Sequence, residues 1–170
     1  YQSMKAGVRT AAQTRALVAS MTRTNGTAKD AMLEAKVRCA TDVTGFGLAG
    51  HALNISKASQ VDLVFDSRRL PALPGVVEHL MAGIYPGTAD VNRKGYGRRF
   101  VVERGVPELS ARLASDPQTS GGLLLAVSPR RVESLLASLD EAWVVGEVRV
   151  KRAERACVRL MKQLESLPDA

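Results

Sequence analysis

The residues best suited to chemistry lie in two short motifs. Residues 41–50 read TDVTGFGLAG and residues 116–124 read DPQTSGGLL, so that Asp116 follows Asp42 by 74 positions. Asp42 is a carboxylate at the end of a predicted strand, flanked by hydroxyl side chains. Mg²⁺ takes hard oxygen ligands and commonly binds one or two carboxylates together with substrate phosphates. Asp42 therefore predicts half of a magnesium and phosphate site, although capping of the next helix is an equally open interpretation.

The glycines of the first motif bear on phosphate binding. Gly45, Gly47 and Gly50 match the GxGxxG pattern between a strand and a helix, which is the order of a dinucleotide-binding fingerprint. The predicted strand is brief, however, and polar residues occupy its turn, so a tight turn with close helix packing is the favoured interpretation. Backbone N–H groups from Gly45 onward, at the start of that helix, could hold a phosphate oxygen.

The second motif places polar residues and two glycines directly before an apolar strand; these are Thr119, Ser120, Gly121 and Gly122. Glycines allow the backbone to approach a partner closely or to adopt positive φ. Asp-Pro and Gly-Gly are also common turn residues. A structural turn and a ligand-binding loop both stay open, although a turn explains the polar run less easily.

The other reactive side chains do not indicate a catalytic or zinc site. The sequence has two histidines, His51 and His79, and two cysteines, Cys39 and Cys157. Neither histidine has a Ser, Cys or Asp partner at a suggestive spacing, and the cysteines fall where a thiol behaves as a small hydrophobe. Two cysteines without a CxxC pair exclude a disulfide framework and a closed zinc site. Any metal would have oxygen ligands.

Composition and charge indicate one globular domain with an anionic partner. The 170 residues are 45% hydrophobic, 4% aromatic and 24% charged, with a formal net charge of +7. No apolar run approaches the roughly 20 residues of a membrane helix and the first residues lack a secretory signal, so we expect a cytoplasmic protein without a membrane partner. The positive charge favours nucleic acid, anionic lipid or nucleotide phosphates. The few aromatic residues disfavour a base-stacking platform.

Hydrophobic periodicity predicts an α/β (α+β) domain with a mixed sheet of about four strands and helices packed on it. The predicted strands span residues 37–40, 61–65, 123–127 and 143–148, and the predicted helices span 7–21, 27–35, 46–57, 74–83, 107–113, 129–139 and 153–167. Thr27 and Asp30 resemble a capping box, and Ser128 is a predicted helix cap. Residues 84–105 are predicted to form a long basic loop, which in a compact domain is usually functional or disordered.

Taken together, the two motifs resemble the signatures of the C-terminal domain of selenophosphate synthetase (selenide, water dikinase), a member of the aminoimidazole ribonucleotide synthetase-like superfamily. The resemblance spans residues 25–148, with further support at 71–83, 86–92 and 143–147. It implies a single domain of the ATP- and Mg²⁺-binding type over residues 1–170. The implied reaction converts ATP, selenide and water into selenophosphate, AMP and orthophosphate, for selenocysteine synthesis.

The resemblance also implies the site residues. Asp42 is expected to be the Mg²⁺ ligand of this domain. Nucleotide contacts are expected from the hydroxyls and glycines of the two motifs, namely Thr41, Thr44, Gly45, Gly47, Thr119, Ser120, Gly121 and Gly122.

Parts of the family pattern are missing from the sequence. The family's catalytic Cys or selenocysteine and its Lys lie in a glycine-rich N-terminal segment. Its other metal-binding aspartates lie in the N-terminal domain, through which the family dimerises. We therefore expect no catalytic residue in this chain and no turnover by it alone. Residues 149–170 match nothing in the family and are expected to be a divergent basic tail. The alternative is a basic nucleic-acid-binding module that uses residues 93–104 and 149–162, whose affinity would fall steeply with salt.

Overall fold

The computed structural model describes residues 2–152, 154–155 and 157–167. Its helices are α1 (Gln2–Lys5), α2 (Ala11–Thr22), α3 (Gly26–Glu34), α4 (Gly47–Ser59), α5 (Val76–Met81), α6 (Gly87–Tyr96), α7 (Glu108–Ser115) and α8 (Pro129–Ala137), with a 3₁₀ turn at Gly97–Arg99. Its strands are β1 (Cys39–Asp42), β2 (Val61–Asp66), β3 (Phe100–Val102), β4 (Leu123–Ala126), β5 (Gly146–Val150) and β6 (Val158–Met161). No helix within the described ranges is long and apolar enough to cross a membrane.

The strands form two sheets, which confirms the α/β fold class with a mixed four-stranded sheet. The larger sheet has the order β3-β6-β2-β5, with β6 parallel to β2 and β3 and with β5 antiparallel to β2. The smaller sheet is the antiparallel pair of β1 and β4. The part of the chain that is described thus holds six strands, where periodicity predicted about four.

Helix α4 covers the larger sheet and forms the core with it. Its small residues Ala49 and Ala52 are fully buried, which lets the helix backbone come close to the sheet. The sheet contributes Leu63, Phe65, Phe100, Val158 and Leu160 to the same cluster, and α7 adds Ala111 and Ala114. Because β1 leads into α4 and α7 leads into the second motif, this core fixes both motifs relative to each other.

The predicted helix over residues 153–167 is wrong, because its described residues include the internal strand β6. Val158 and Leu160 alternate inward with no exposed surface, which is the period of a strand. Two buried carboxylates hold the segment: Asp62 accepts a hydrogen bond from the backbone N–H of Cys157 at 3.0 Å, and Asp66 accepts one from that of Leu164 at 2.9 Å. Tertiary burial between β2 and β3 therefore overrides the helical pattern.

The long loop predicted over residues 84–105 is also wrong, because α6, the 3₁₀ turn and β3 fill most of it. Pro86 precedes the first residue of α6, and Gly97 ends the helix with a φ of 57°. Pro86 and Gly97, which the sequence suggested were loop residues, therefore mark the two ends of α6.

Several predicted boundaries move. β1 and β5 lie at 39–42 and 146–150, rather than at 37–40 and 143–148. The capping box at Thr27 is wrong, because Asn25 precedes α3 without a side-chain cap. Ser128 stands at the predicted cap position of α8, but its side chain makes no capping hydrogen bond.

Candidate functional site

The fold brings the two motifs side by side. β1 and β4 pair so that Asp42 lies opposite Leu123. Beyond the strand ends, the N–H of Val43 donates to the carbonyl oxygen of Gly122 at 3.0 Å, and the N–H of Gln118 donates to that of Thr44 at 3.1 Å. The two loops are therefore hydrogen-bonded to each other, although 74 positions separate Asp42 from Asp116 in the sequence.

Two glycines permit this close approach. A Cβ atom at Gly121 would lie 2.2 Å from the carbonyl oxygen of Val43. Gly47, with a φ of 63°, is buried against the backbone of Ser115 and Asp116, where a Cβ atom would lie 2.8 Å from the carbonyl carbon of Ser115. Both contacts are with protein backbone, which agrees with the tight-turn interpretation of the glycines. Nucleotide contacts at Gly47 and Gly121 stay predictions.

Asp42 ends β1 with its side chain exposed. Among the described residues, its carboxylate has no hydrogen bond and no ion pair. Helix α4 begins five residues later, with Phe46 at its N-cap and no side-chain cap. The alternative that Asp42 caps this helix is therefore wrong, and the carboxylate is free to meet a ligand.

An open groove of about 480 Å³ lies beside Asp42, between β1 and the start of α3. Its size falls in the range of small-molecule sites, roughly 300–1,000 Å³. The groove is lined by an acidic residue, a basic residue and the first residue of α3, a helix without a side-chain cap; its lining residues are Asn25, Gly26, Lys29, Met32, Ala40, Thr41, Asp42 and Leu123. Such a mixture suits a phosphate ester with a bound cation.

The hydroxyls of Thr41 and Thr44 turn towards a buried histidine. The Oγ1 atom of Thr44 lies 3.0 Å from Nε2 of His51, and that of Thr41 lies 3.5 Å from Nδ1. His51 is therefore a buried histidine whose two ring nitrogens both face hydroxyl groups.

In the second motif, Thr119, Ser120 and Gly122 are exposed at the loop surface beside β4. Ser120 has a φ of 54° and donates to the carbonyl oxygen of Arg23 at 2.6 Å. Gly45, in the first motif, is likewise exposed. No ligand contact of these four residues is tested by the geometry, so their nucleotide roles stay predictions.

Side-chain amides and one phenol hold the loop backbones, and sequence reasoning missed them. Asn92 donates to the carbonyl oxygens of Gly45 and Ser115 at 2.9 and 3.1 Å. Asn25 donates to that of Gly121 at 2.9 Å, and the Tyr96 hydroxyl donates to that of Phe46 at 2.5 Å. Asn92 and Tyr96 lay in the segment interpreted as a loop, so their signal was hidden by the wrong secondary structure.

Asp116, the first residue of the second motif, has a raised side-chain pKa. Burial disfavours its charged form and raises the pKa of its carboxyl from 3.8 to about 6, and the hydrogen bond from Gln118 opposes this only in part. A carboxyl that titrates near neutrality beside a candidate site is a functional candidate in its own right.

The residues beside the groove can supply part of a Mg²⁺ site. Within the described ranges, no group of three or more His, Cys, Asp or Glu side chains could enclose a metal ion. Mg²⁺ usually keeps several waters and binds one or two carboxylates with substrate phosphates, and the exposed Asp42 carboxylate can fill one such position.

The basic segments of the nucleic-acid alternative are partly neutralised. Arg93 pairs with Glu108, Arg149 pairs with Glu147, and Arg159 donates to Glu103 at 3.0 Å. These ion pairs reduce the positive field that a polyanion would meet.

Comparison with known proteins places these features in a family. Residues 5–158 match the family described as AIR synthase related protein, C-terminal domain. Curated relatives named selenide, water dikinase include one from Nitratidesulfovibrio vulgaris, 43% identical over 74% of this chain and 37% of its own length. Others come from Burkholderia orbicola, 36% identical over 78% of this chain and 39% of the relative, and from Porphyromonas gingivalis, 40% identical over 73% and 35%.

The chain spans under two fifths of the length of these relatives. The match confirms the resemblance that the two motifs predicted and covers both of them. The chain belongs to the family of AIR synthase related C-terminal domains, and its described relatives are selenide, water dikinases.

Proposed function

We propose that this chain is the C-terminal domain of a selenide, water dikinase, which converts ATP, selenide and water into selenophosphate, AMP and phosphate. The observation that carries the proposal is the joining of the two motifs beside a free carboxylate. The match to relatives of that name supports it.

In this proposal, Asp42 would supply one carboxylate ligand to Mg²⁺ bound together with ATP. Bound Mg²⁺ would neutralise the charge that develops on the transferring phosphoryl group. Lys29, which also pairs with Asp30 at 2.7 Å, and Gly26 at the start of α3 line the same groove, where the lysine charge and the helix N-terminus would stabilise negative phosphate oxygens. Thr119, Ser120 and Gly122 lie on the adjoining loop and would contact the nucleotide from its side.

In this proposal, turnover requires catalytic groups in addition to Asp42 and the residues that line the groove. The side chain of Asp42 is a single carboxylate, and phosphoryl transfer depends on positioning and charge stabilisation by several groups together. We expect the isolated chain to bind Mg·ATP weakly and to form no selenophosphate.

The test is a calorimetric titration of the chain with ATP, with and without Mg²⁺, in parallel for Asp42→Asn and Asp140→Asn. Asp140 is the matched control, because it is exposed and lies in the turn after α8, outside the groove. We expect Mg²⁺-dependent binding that Asp42→Asn weakens about tenfold or more and that Asp140→Asn leaves unchanged. Binding that ignores Mg²⁺ and falls steeply with salt would instead favour the nucleic-acid alternative.

A further inference from the structure

His51 connects the two threonines that flank Asp42. It lies in the first turns of α4 and is 8% exposed, and each of its ring nitrogens faces a different hydroxyl. Thr41 also donates its own hydroxyl hydrogen to the backbone oxygen of Asp42 at 3.2 Å. Thr44, His51, Thr41 and Asp42 therefore form one continuous chain of hydrogen bonds.

The direction of this chain follows from counting donors. A hydroxyl has one hydrogen, and the Thr41 oxygen lies closer to the backbone oxygen of Asp42, at 3.2 Å, than to Nδ1 of His51, at 3.5 Å. We assign the hydrogen to this shorter contact, which leaves Thr41 to accept from the histidine and places the ring hydrogen on Nδ1. A neutral imidazole has a single N–H, so Nε2 is an acceptor and the hydroxyl of Thr44 must donate to it.

We propose that His51 is a positioning residue of this site: as the Nδ1–H tautomer, it uses the only hydrogen of the Thr44 hydroxyl. The Thr44 oxygen then offers only lone pairs to a ligand. It can face a cation or an N–H donor, but it cannot donate to a phosphate oxygen. This inference deepens the proposed function and rests on it for the ligand, whereas the tautomer is a property of the chain itself.

The test is nuclear magnetic resonance of the chain labelled with ¹⁵N at histidine, at mildly alkaline pH, where an ordinary histidine is neutral. The one-bond coupling shows which ring nitrogen carries the hydrogen. The sequence has only two histidines, so the spectrum of His79→Gln assigns the signals and His79 serves as an internal reference. We expect Nδ1 of His51 to be protonated and Nε2 to be bare.

Three variants test whether the hydrogen bonds to Thr41 and Thr44, rather than burial of the ring alone, determine the tautomer of His51. In Thr41→Val the acceptor at Nδ1 is lost, so we expect the ring hydrogen to move to Nε2, where Thr44 can rotate to accept it. Thr41→Ser restores the hydroxyl and should restore the Nδ1–H tautomer. Thr44→Val removes only the donor to Nε2 and should leave the hydrogen on Nδ1.

The outcomes decide the inference without any nucleotide. An Nε2–H or doubly protonated ring in the unmodified chain would overturn it, as would a tautomer that ignores Thr41→Val. Because no ATP is present, failure of the proposed function would leave this result unchanged, and failure here would leave Mg²⁺-dependent ATP binding to be judged separately.

Discussion

The contact between the two motifs can be broken by a single methyl group. In Gly121→Ala, the new Cβ atom would lie 2.2 Å from the carbonyl oxygen of Val43, a distance that real Cβ atoms essentially never show. The neighbouring Gly122 has no atom within 4 Å of its added Cβ, so Gly122→Ala is a matched control with the same chemical change. Neither glycine has a positive φ, so the effect at position 121 is steric.

The expected loss in the free energy of unfolding can be worked out from the hydrogen bonds that the added methyl group would weaken. To relieve the clash, the loops must separate by most of an ångström, which weakens the hydrogen bonds that join them, from Val43 to Gly122 and from Gln118 to Thr44. Each such bond contributes about 0.5–1.5 kcal/mol, and overpacking of a close contact costs about 1–3 kcal/mol. We expect Gly121→Ala to lower the free energy of unfolding by about 2–3 kcal/mol, and Gly122→Ala to change it by less than about 0.5 kcal/mol.

The assay is thermal unfolding of the three proteins followed by circular dichroism. For a chain of this size, 1 kcal/mol corresponds to roughly 2–4 °C in Tm, so we expect Gly121→Ala to melt roughly 5–10 °C below the unmodified chain. Equal Tm values for Gly121→Ala and Gly122→Ala would refute the close contact, and with it the joining of the two motifs.

Three other substitutions test the carboxylates. Hydrogen bonds from Leu164 and Arg68 hold the pKa of Asp66 below its ordinary value despite burial. The charged carboxylate therefore stabilises the chain at neutral pH, and this stabilisation is lost as the pH falls below about 4. We expect Asp66→Asn to be less stable at pH 7 and to show a smaller loss of stability in acid, as measured by urea midpoints against pH. Asp116 has the opposite sign, because its pKa of about 6 in the folded chain exceeds its ordinary value of 3.8, so its carboxyl destabilises the chain progressively as the pH rises from about 4 to about 6 and by a constant amount above that. Asp116→Asn should therefore gain up to about 2 kcal/mol at pH 7 and nothing below pH 4 in the same titration. Asp42→Asn should keep the free energy of unfolding within about 1 kcal/mol, since the exposed carboxylate has no partner among the described residues, and a larger loss in a urea melt would mean a structural role.

The sequence was informative where local signals agree with burial. The resemblance carried by the two motifs implied that Asp42 and Gly122 belong to one site, and the pairing of β1 with β4 brings the two motifs side by side. The helices at α4 and α8 were predicted because their apolar residues recur with helical spacing, and α8 also has Pro129 at its first position. In both cases, local propensity and tertiary packing favour the same structure.

The sequence was misleading where contacts between residues far apart in the chain determine the local structure or the role of a side chain. The segment around Leu160 has apolar residues at helical spacing, and only its place between β2 and β3, with Asp62 and Asp66 binding its backbone, makes it a strand. The role of Asn92 was likewise invisible, because both carbonyls it binds are at least 23 positions away. Long-range hydrogen bonds leave no periodic signal in one sequence.

The most direct test of the proposed function is a chimera in which this chain replaces the matched part of the Nitratidesulfovibrio vulgaris selenide, water dikinase. The assay measures AMP release that requires both ATP and selenide. We expect the chimera to be active, Asp140→Asn to retain its rate, and Asp42→Asn to lose at least about 100-fold while keeping its Tm, since a charge that positions the phosphates is removed. A folded chimera without selenide-dependent AMP release, or one in which Asp42→Asn keeps its full rate at limiting Mg²⁺, would contradict the assignment.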